Sequence, residues 1–215
     1  MSPPPATVAP VEPTRDTYRH GDLRAAGVEA AAALVEEAGP GALSMREVAR
    51  RTGVSHTAFY HHFPDKASLF AAVAEQGFAE LTRTMTTGAA PADDALARLH
   101  AIGVGYVTYA LRHPGVFRLM FRPELTGIEG AGVPAVVSGS WELLRSTVQE
   151  CQQAGFSKDE HLDVLAILCW TSVHGLATLL LDGPLGPVGQ GRRARATRVE
   201  LAGQVVDVLN RLIRG

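Results

Sequence analysis

The sequence predicts an all-α protein: an N-terminal three-helix helix-turn-helix domain followed by a larger C-terminal helical domain, about nine helices in all. Three observations predict it. Apolar residues recur at helical spacing along nearly the whole chain, and no run alternates with strand period. Residues 44–66, SMREVARRTGVSHTAFYHHFPDK, read as two short helices hinged on one glycine and followed by a helix start. The last two helical segments are rich in leucine and valine, as buried or subunit-facing helices are.

Taken in order, a first helix is expected from about Tyr18 to Ala38, with Leu23, Gly27, Ala30 and Leu34 on one face and Gly39-Pro40-Gly41 as its stop. In the second, Met45, Val48 and Ala49 share a face, and Ser44 with Glu47 has the form of a capping box. Gly53 can adopt the left-handed conformation that ends it. Val54, Ala58 and Phe59 turn the third helix inward, leaving Ser55, His56, Thr57, Tyr60 and His61 outward. Asp65 N-caps a fourth helix whose buried stripe is Leu69, Phe70, Val73, Phe78 and Leu81.

A fifth helix follows from about Ala92 to Arg112 and contains Gly103 and Gly105. Close packing, a ligand cavity or plain tolerance would each account for two glycines in a helix interior. His113-Pro114-Gly115 closes it, and Val116–Phe121 forms a short sixth. Residues 122–133 are expected as a loop, and a seventh helix runs from about Pro134 to Ala154 with Gly155 as its cap. Ser157-Lys158-Asp159 opens an eighth, ending near Asp182. GPLGPVGQG reads as a flexible loop before a ninth helix from about Ala194 to Ile213.

Composition narrows the function. With 215 residues, 46% of them hydrophobic, the chain can bury a substantial core. A net charge of −2 confines any nucleic-acid-binding field to one face. Cys151 and Cys169 fit no metal motif and no disulfide framework, so buried thiols in a reducing, cytoplasmic setting are expected. The proline-rich residues 1–17 lack the apolar run of a signal peptide and read as a disordered leader. Leu162–Leu181 has the length of a membrane span, yet Asp163 and His174 interrupt it. A helix buried between subunits explains the same composition.

An outer helix face of hydroxyl, imidazole and phenol, beside a turn, is what a major-groove reader presents. Within 44–66, Arg46, Arg50, Arg51 and Lys66 outweigh Glu47 and Asp65 by two charges, against −2 for the whole chain. The chain resembles the TetR family of transcriptional repressors. The resemblance is carried by Ser44-Met45-Arg46-Glu47-Val48-Ala49, Gly53-Val54-Ser55, Phe59-Tyr60-His61-His62-Phe63 and Lys66 followed by Leu69. The second half is similar to a C-terminal class of that family marked by Trp, then His-Gly four residues on, here Trp170 and His174-Gly175; His113-Pro114-Gly115-Val116-Phe117 also looks like that class.

After the leader over 1–17, the resemblance implies a DNA-binding domain over 18–65 and an effector-binding and dimerisation domain over 66–215. It implies phosphate contacts from Ser44, Arg46, Ser55, Tyr60 and Lys66, with His56, Thr57 and His61 nearest the base edges. Tyr60 has packing against the first helix as its other reading. No Arg or Lys lies on the outer face of the third helix, so the commonest guanine contact is not available from it.

Ligand-lining candidates are Tyr106, Tyr109, Phe117, Met120, Phe121, Trp141, Cys169, Trp170 and His174, all on helices where resembling proteins keep a cavity. Aromatic residues at helical spacing are otherwise plain core. Dimerisation is expected through Leu162, Leu165, Leu168, Leu176 and Leu180 with Leu201, Val205, Val208, Leu209 and Leu212. Arg192, Arg193, Arg195 and Arg198 read as a solvated surface. The implied function is a cytoplasmic homodimeric repressor, bound to a palindromic operator and released by a small hydrophobic or aromatic effector, with no cofactor and no metal. One alternative is a helix-turn-helix protein without an effector. The other is an all-α enzyme, against which His56, His61 and His62 lack the spacing of helical metal ligands.

Overall fold

The computed structural model describes residues 20–127, 138–183, 185 and 192–214. Among them the chain is wholly helical, with ten α-helices: α1 (His20–Ala38), α2 (Met45–Thr52), α3 (His56–His62), α4 (Lys66–Ala89), α5 (Ala95–Arg112), α6 (Pro114–Met120), α7 (Pro123–Thr126), α8 (Ser138–Gln153), α9 (Leu162–Leu181) and α10 (Arg192–Arg214). The leader, residues 128–133, most of the 183–191 loop, and the side chains of Arg192, Arg193 and Arg195 lie outside the described residues.

Local chemistry sets the ends of the first four helices. Gly53 ends α2 at φ 71, in the left-handed region. Ser55 caps α3 by accepting the Ala58 N–H at 3.2 Å. Asp65 and Ser68 form a reciprocal capping box at α4. The box expected from Ser44 and Glu47 does not form: Ser44 makes no capping bond. Glu47 instead accepts from Arg50 at 2.8 and 2.7 Å and from Arg51 at 3.2 Å. A charge-assisted fork is a stronger partner for a carboxylate than a neutral backbone N–H.

Three boundaries depart from the sequence reading. Pro114 does not end a helix but starts α6, where its missing N–H costs nothing. Pro123–Thr126, expected as loop, forms α7 on the same proline logic. Helix α9 starts at Leu162, not at Ser157, whose φ is 46. The Ser157 hydroxyl donates to Ile213 O at 2.7 Å, and Gln152 Nε2 donates to Ser157 O and Glu160 O. Those polar groups tie a turn to the end of α10, so none is left to cap a helix.

One apolar core runs from the helix-turn-helix into the second half. It joins Leu34 and Val35 of α1, Val48 of α2 and Phe59 of α3 to Phe70 and Phe78 of α4, Tyr106 of α5, Phe117 of α6, and Val206 of α10. Glycines let the helices close up. A Cβ on Gly27 would lie 2.9 Å from Phe63; on Gly77, 2.8 Å from Met120 Sδ; on Gly105, 3.2 Å from the Met85 backbone. A smaller cluster around Leu144, Val148, Cys151 and Cys169 binds α8 to α5, α9 and α10.

Helix α9 is long and apolar enough to cross a membrane by length and composition. Its Leu165, Cys169, Val173, Leu176 and Leu180 are buried, whereas Val164, Ile167, Leu168 and Leu179 stand exposed. Leu201, Val205, Val208 and Leu212 of α10 are exposed as well. At its start, Asp163 is engaged by Arg145 Nε at 2.8 Å.

The tightest seam joins α1 to α6. Glu36 accepts the Gly115 and Val116 N–H groups at 2.9 Å each, satisfying donors that a helix start leaves open. A Cβ on Gly115 would fall 2.5 Å from Val35 O and 2.9 Å from Glu36 Cα, both rigid backbone. Gly115→Ala is expected to lower stability by about 1–3 kcal/mol through overpacking. Glu36→Gln is expected to cost a similar amount, because an amide oxygen replaces two charged acceptors. Urea unfolding of each variant measures both.

Candidate nucleic-acid interface and apolar cavity

Helix α3 presents its polar side outward. His56, Thr57 and His61 are exposed, Phe59 is fully buried, and Ala58 is partly covered. Tyr60 is 39% exposed. Its ring lies 4.4 Å from that of His56, one turn back. Ser55 is exposed but already accepts one bond as the α3 cap, leaving its O–H free to donate. Ser44 and Arg46 are exposed at the start of α2. Lys66 lies at the start of α4 with its Nζ 5.1 Å from the Phe70 ring.

Two of the four cations counted in the sequence are neutralised. Arg51 forms a fork with Glu37 of α1 at 2.9 and 2.7 Å and also reaches Glu47. Hydrogen bonds from Arg50 and then Arg51 hold the Glu47 carboxyl down at about 2. Glu37 was not visible from residues 44–66 alone, because it enters from the preceding helix. The face is therefore polar and only weakly positive, with Arg46 and Lys66 as its cations outside any ion pair among the described residues.

The second half holds a narrow cavity of about 40 Å³. Tyr106, Phe121, Trp141, Cys169 and Trp170 line it, together with Phe78, Leu99, Ile102, Val206, Ser140 and Asn210. Gly103 lines it too, and a Cβ there would sit 3.1 Å from Val206. None of the lining residues is charged. Tyr109, Phe117, Met120 and His174, all candidates from the sequence, do not line it. The Tyr109 O–H turns to Met120 Sδ at 3.7 Å. Phe117 packs between Tyr106 and His174 at ring separations of 5.7 and 5.6 Å, behind the cavity wall.

His174 backs that wall. The indole N–H of Trp170 can only donate, and it donates to Tyr106 Oη at 3.3 Å. The Tyr106 O–H then donates to His174 Nδ1 at 2.8 Å. This order assigns a neutral imidazole carrying its proton on Nε2. Burial lowers the affinity of His174 for a proton below the ordinary value of 6.5, and burial raises that of the Tyr106 phenol. Phe121 lies against the same imidazole at 4.6 Å.

Sequence reasoning missed Asn210 and Glu36. Asn210 follows Val206 by one turn on the buried side of α10, so a polar residue in an apolar stripe was its available signal. No such signal exists for Glu36, which meets partners 79 and 80 residues away.

The arrangement has known relatives. Residues 28–73 match a family model described as bacterial regulatory proteins, tetR family, and residues 99–206 match one described as tetracyclin repressor-like, C-terminal domain. A solved protein of unknown function from Rhodococcus sp. RHA1 is 30% identical, covers 92% of this chain and 98% of its own, and superposes with a TM-score of 0.75. The transcriptional regulator FadR from Bacillus subtilis, solved in complex with stearoyl-CoA, is 12% identical with a TM-score of 0.65, over 86% of this chain and 96% of that one. That similarity is one of fold. The nucleoid occlusion factor SlmA of Idiomarina loihiensis is 32% identical over 100 residues, 46% of this chain and 51% of SlmA. The match thus spans about half the length of that curated relative.

The imidazole makes one pH dependence testable. Because the folded chain takes up the His174 proton less readily than the unfolded chain, its contribution is intact above the ordinary value of 6.5 and falls as pH drops below it. Urea midpoints at about pH 7 and about pH 5 are expected to fall less in His174→Gln than in the unaltered protein.

Proposed function

Because the chain belongs to the TetR family of transcriptional regulators, we propose that it is a repressor that grips a palindromic operator as a homodimer and releases it when a small apolar or aromatic effector fills the cavity. The observation that carries this reading is the position of α6. One end of α6 is held by Glu36 of α1, the helix that also supports α2 and α3. The residues just beyond its other end include Phe121, which lines the cavity and touches His174. Arg118 ties the middle of α6 to Asp182, at the end of α9.

An occupant that displaces Phe121 acts on α6, which packs against both α1 and α4. A ligand shifts an equilibrium only by its unequal affinity for the two states, and this seam gives the two states different costs. A cavity in the second half favours the effector-responsive reading over a helix-turn-helix protein without one. No charged group awaits an effector in it, so an apolar neutral compound fits better than an ion.

Two helices per subunit supply the dimer. Val164, Leu168 and Leu179 of α9 and Leu201, Val205, Val208 and Leu212 of α10 are exposed at helical spacing, with Leu212 at 74%. Packed about a two-fold axis, these faces make a four-helix interface. The two α3 helices then address half-sites about 34–36 Å apart. On each half-site, His56, Thr57 and His61 lie over base edges, and Ser44, Arg46, Ser55, Tyr60 and Lys66 meet phosphates. Residues 18–65 then form the DNA-binding domain and 66–215 the effector-binding and dimerisation domain. The protein acts in the cytoplasm, where its DNA and its two free thiols would be found together.

Footprinting on DNA that flanks its own gene is expected to protect an inverted repeat, and sedimentation to give twice the 22.8 kDa chain mass. A monomer at micromolar concentration would overturn the two-fold reading. The double substitution His56→Ala with Thr57→Ala is expected to weaken that site by about tenfold or more while sparing binding to unrelated DNA. Unchanged operator affinity would place recognition elsewhere.

A further inference from the structure

The outer face of α3 carries two imidazoles that the protein leaves unclaimed. His56 and His61 are both exposed, and neither has a hydrogen-bond or ion-pair partner among the described residues. The Tyr60 ring lies beside His56 at 4.4 Å and brings no charge to it. His62, on the same helix, is half-buried and already has an interaction of its own.

The charged groups on the elements around α3 are engaged elsewhere. From α1, Glu37 holds Arg51, and Arg24 lies over the Phe63 ring at 5.8 Å. On α2, Glu47 is shared by Arg50 and Arg51. Before α4, Asp65 accepts the Ser68 N–H at 2.7 Å, and Lys66 lies over the Phe70 ring. Arg46 is the remaining cation on α2, outside any ion pair among the described residues. No carboxylate therefore holds a proton on either imidazole in the free protein.

Charging changes what such a ring can bind. Neutral imidazole offers one donor and one acceptor, whereas the charged ring offers two donors. Phosphate oxygens are acceptors, and so are the O6 and N7 atoms of guanine. DNA thus favours the charged ring, which can donate one N–H to a base edge and the other to a phosphate. That supplies the cationic donor that α3 otherwise lacks, having no Arg or Lys on its outer face.

We infer that operator binding is linked to proton uptake at His56 and His61, so that the grip tightens as pH falls through about 6.5, where histidine ordinarily charges. This rests on the DNA-binding reading given above and adds to it a response to acidity. The complex carries more protons than its separated parts, so a lower pH favours the complex. Arg46 and Lys66 stay charged throughout this range and give a hold that acidity does not change.

Fluorescence anisotropy of the full-length protein on the footprinted inverted repeat, at about pH 8 and about pH 6, tests this. Binding is expected to be about tenfold tighter at the lower pH, with a salt dependence steeper by about one to two ions. Circular dichroism checks that the fold persists at both. In His56→Gln with His61→Gln the pH response is expected to fall below about twofold, and each single variant to lose part of it. Calorimetry in two buffers of different ionisation heat is expected to count about one proton or more taken up by the unaltered protein and none by the double variant. An operator affinity that ignores pH would overturn the proton linkage and leave the DNA-binding reading standing. A pH response that survives in the double variant would remove both histidines from the role. Binding to no duplex at either pH would overturn the DNA-binding reading and this inference together.

Discussion

The paired hydrogen bonds from the α6 amides to Glu36 are the constraint on which the rest of this molecule depends. They tie residues 79 and 80 positions apart in sequence, and they do so through a helix start, where open donors favour a negative charge. Gly115 makes the approach possible, since any side chain there would overlap the Val35 carbonyl. The two halves therefore share one core and one seam, not a linker. A rigid junction thus joins a polar outer helix to an apolar space.

Inside the second half, polar atoms are few and strictly ordered. Trp170, Tyr106 and His174 form a chain in which each donor has a single acceptor, which holds Tyr106 against the cavity and His174 behind it. Phe117 and Phe121 brace the imidazole on the α6 side. The aromatic cluster is thus both core and wall. Residues that look equivalent in sequence, such as Tyr106 and Tyr109, part ways here: they are three positions apart on α5, and only the first lines the cavity.

The helical layout, the Gly53 turn, the Asp65 cap and the exposed face of α3 were all legible in the sequence, because each depends on residues within one or two turns of each other. Five of the nine ligand-lining candidates line the cavity, for a similar reason: helical spacing says which residues point inward. It does not say toward what. Tyr109, Phe117 and Met120 also point inward, but into packed core, and His174 lies half-buried behind the wall. Ser44 with Glu47 misled because a capping pattern ignores rival partners, and Arg50 and Arg51 outbid the backbone. Glu37, Glu36 and Asn210 find their partners on other helices, which no local spacing can indicate.

The carboxylates around Arg50 and Arg51 have a consequence for life inside a cell. A genome offers about 10⁶–10⁹ places where a cationic protein can settle without reading a base. With both arginines engaged by Glu47 and Glu37, the outer face of α2 and α3 keeps little positive charge for such places. On the function proposed above, each molecule is then less often detained on irrelevant DNA.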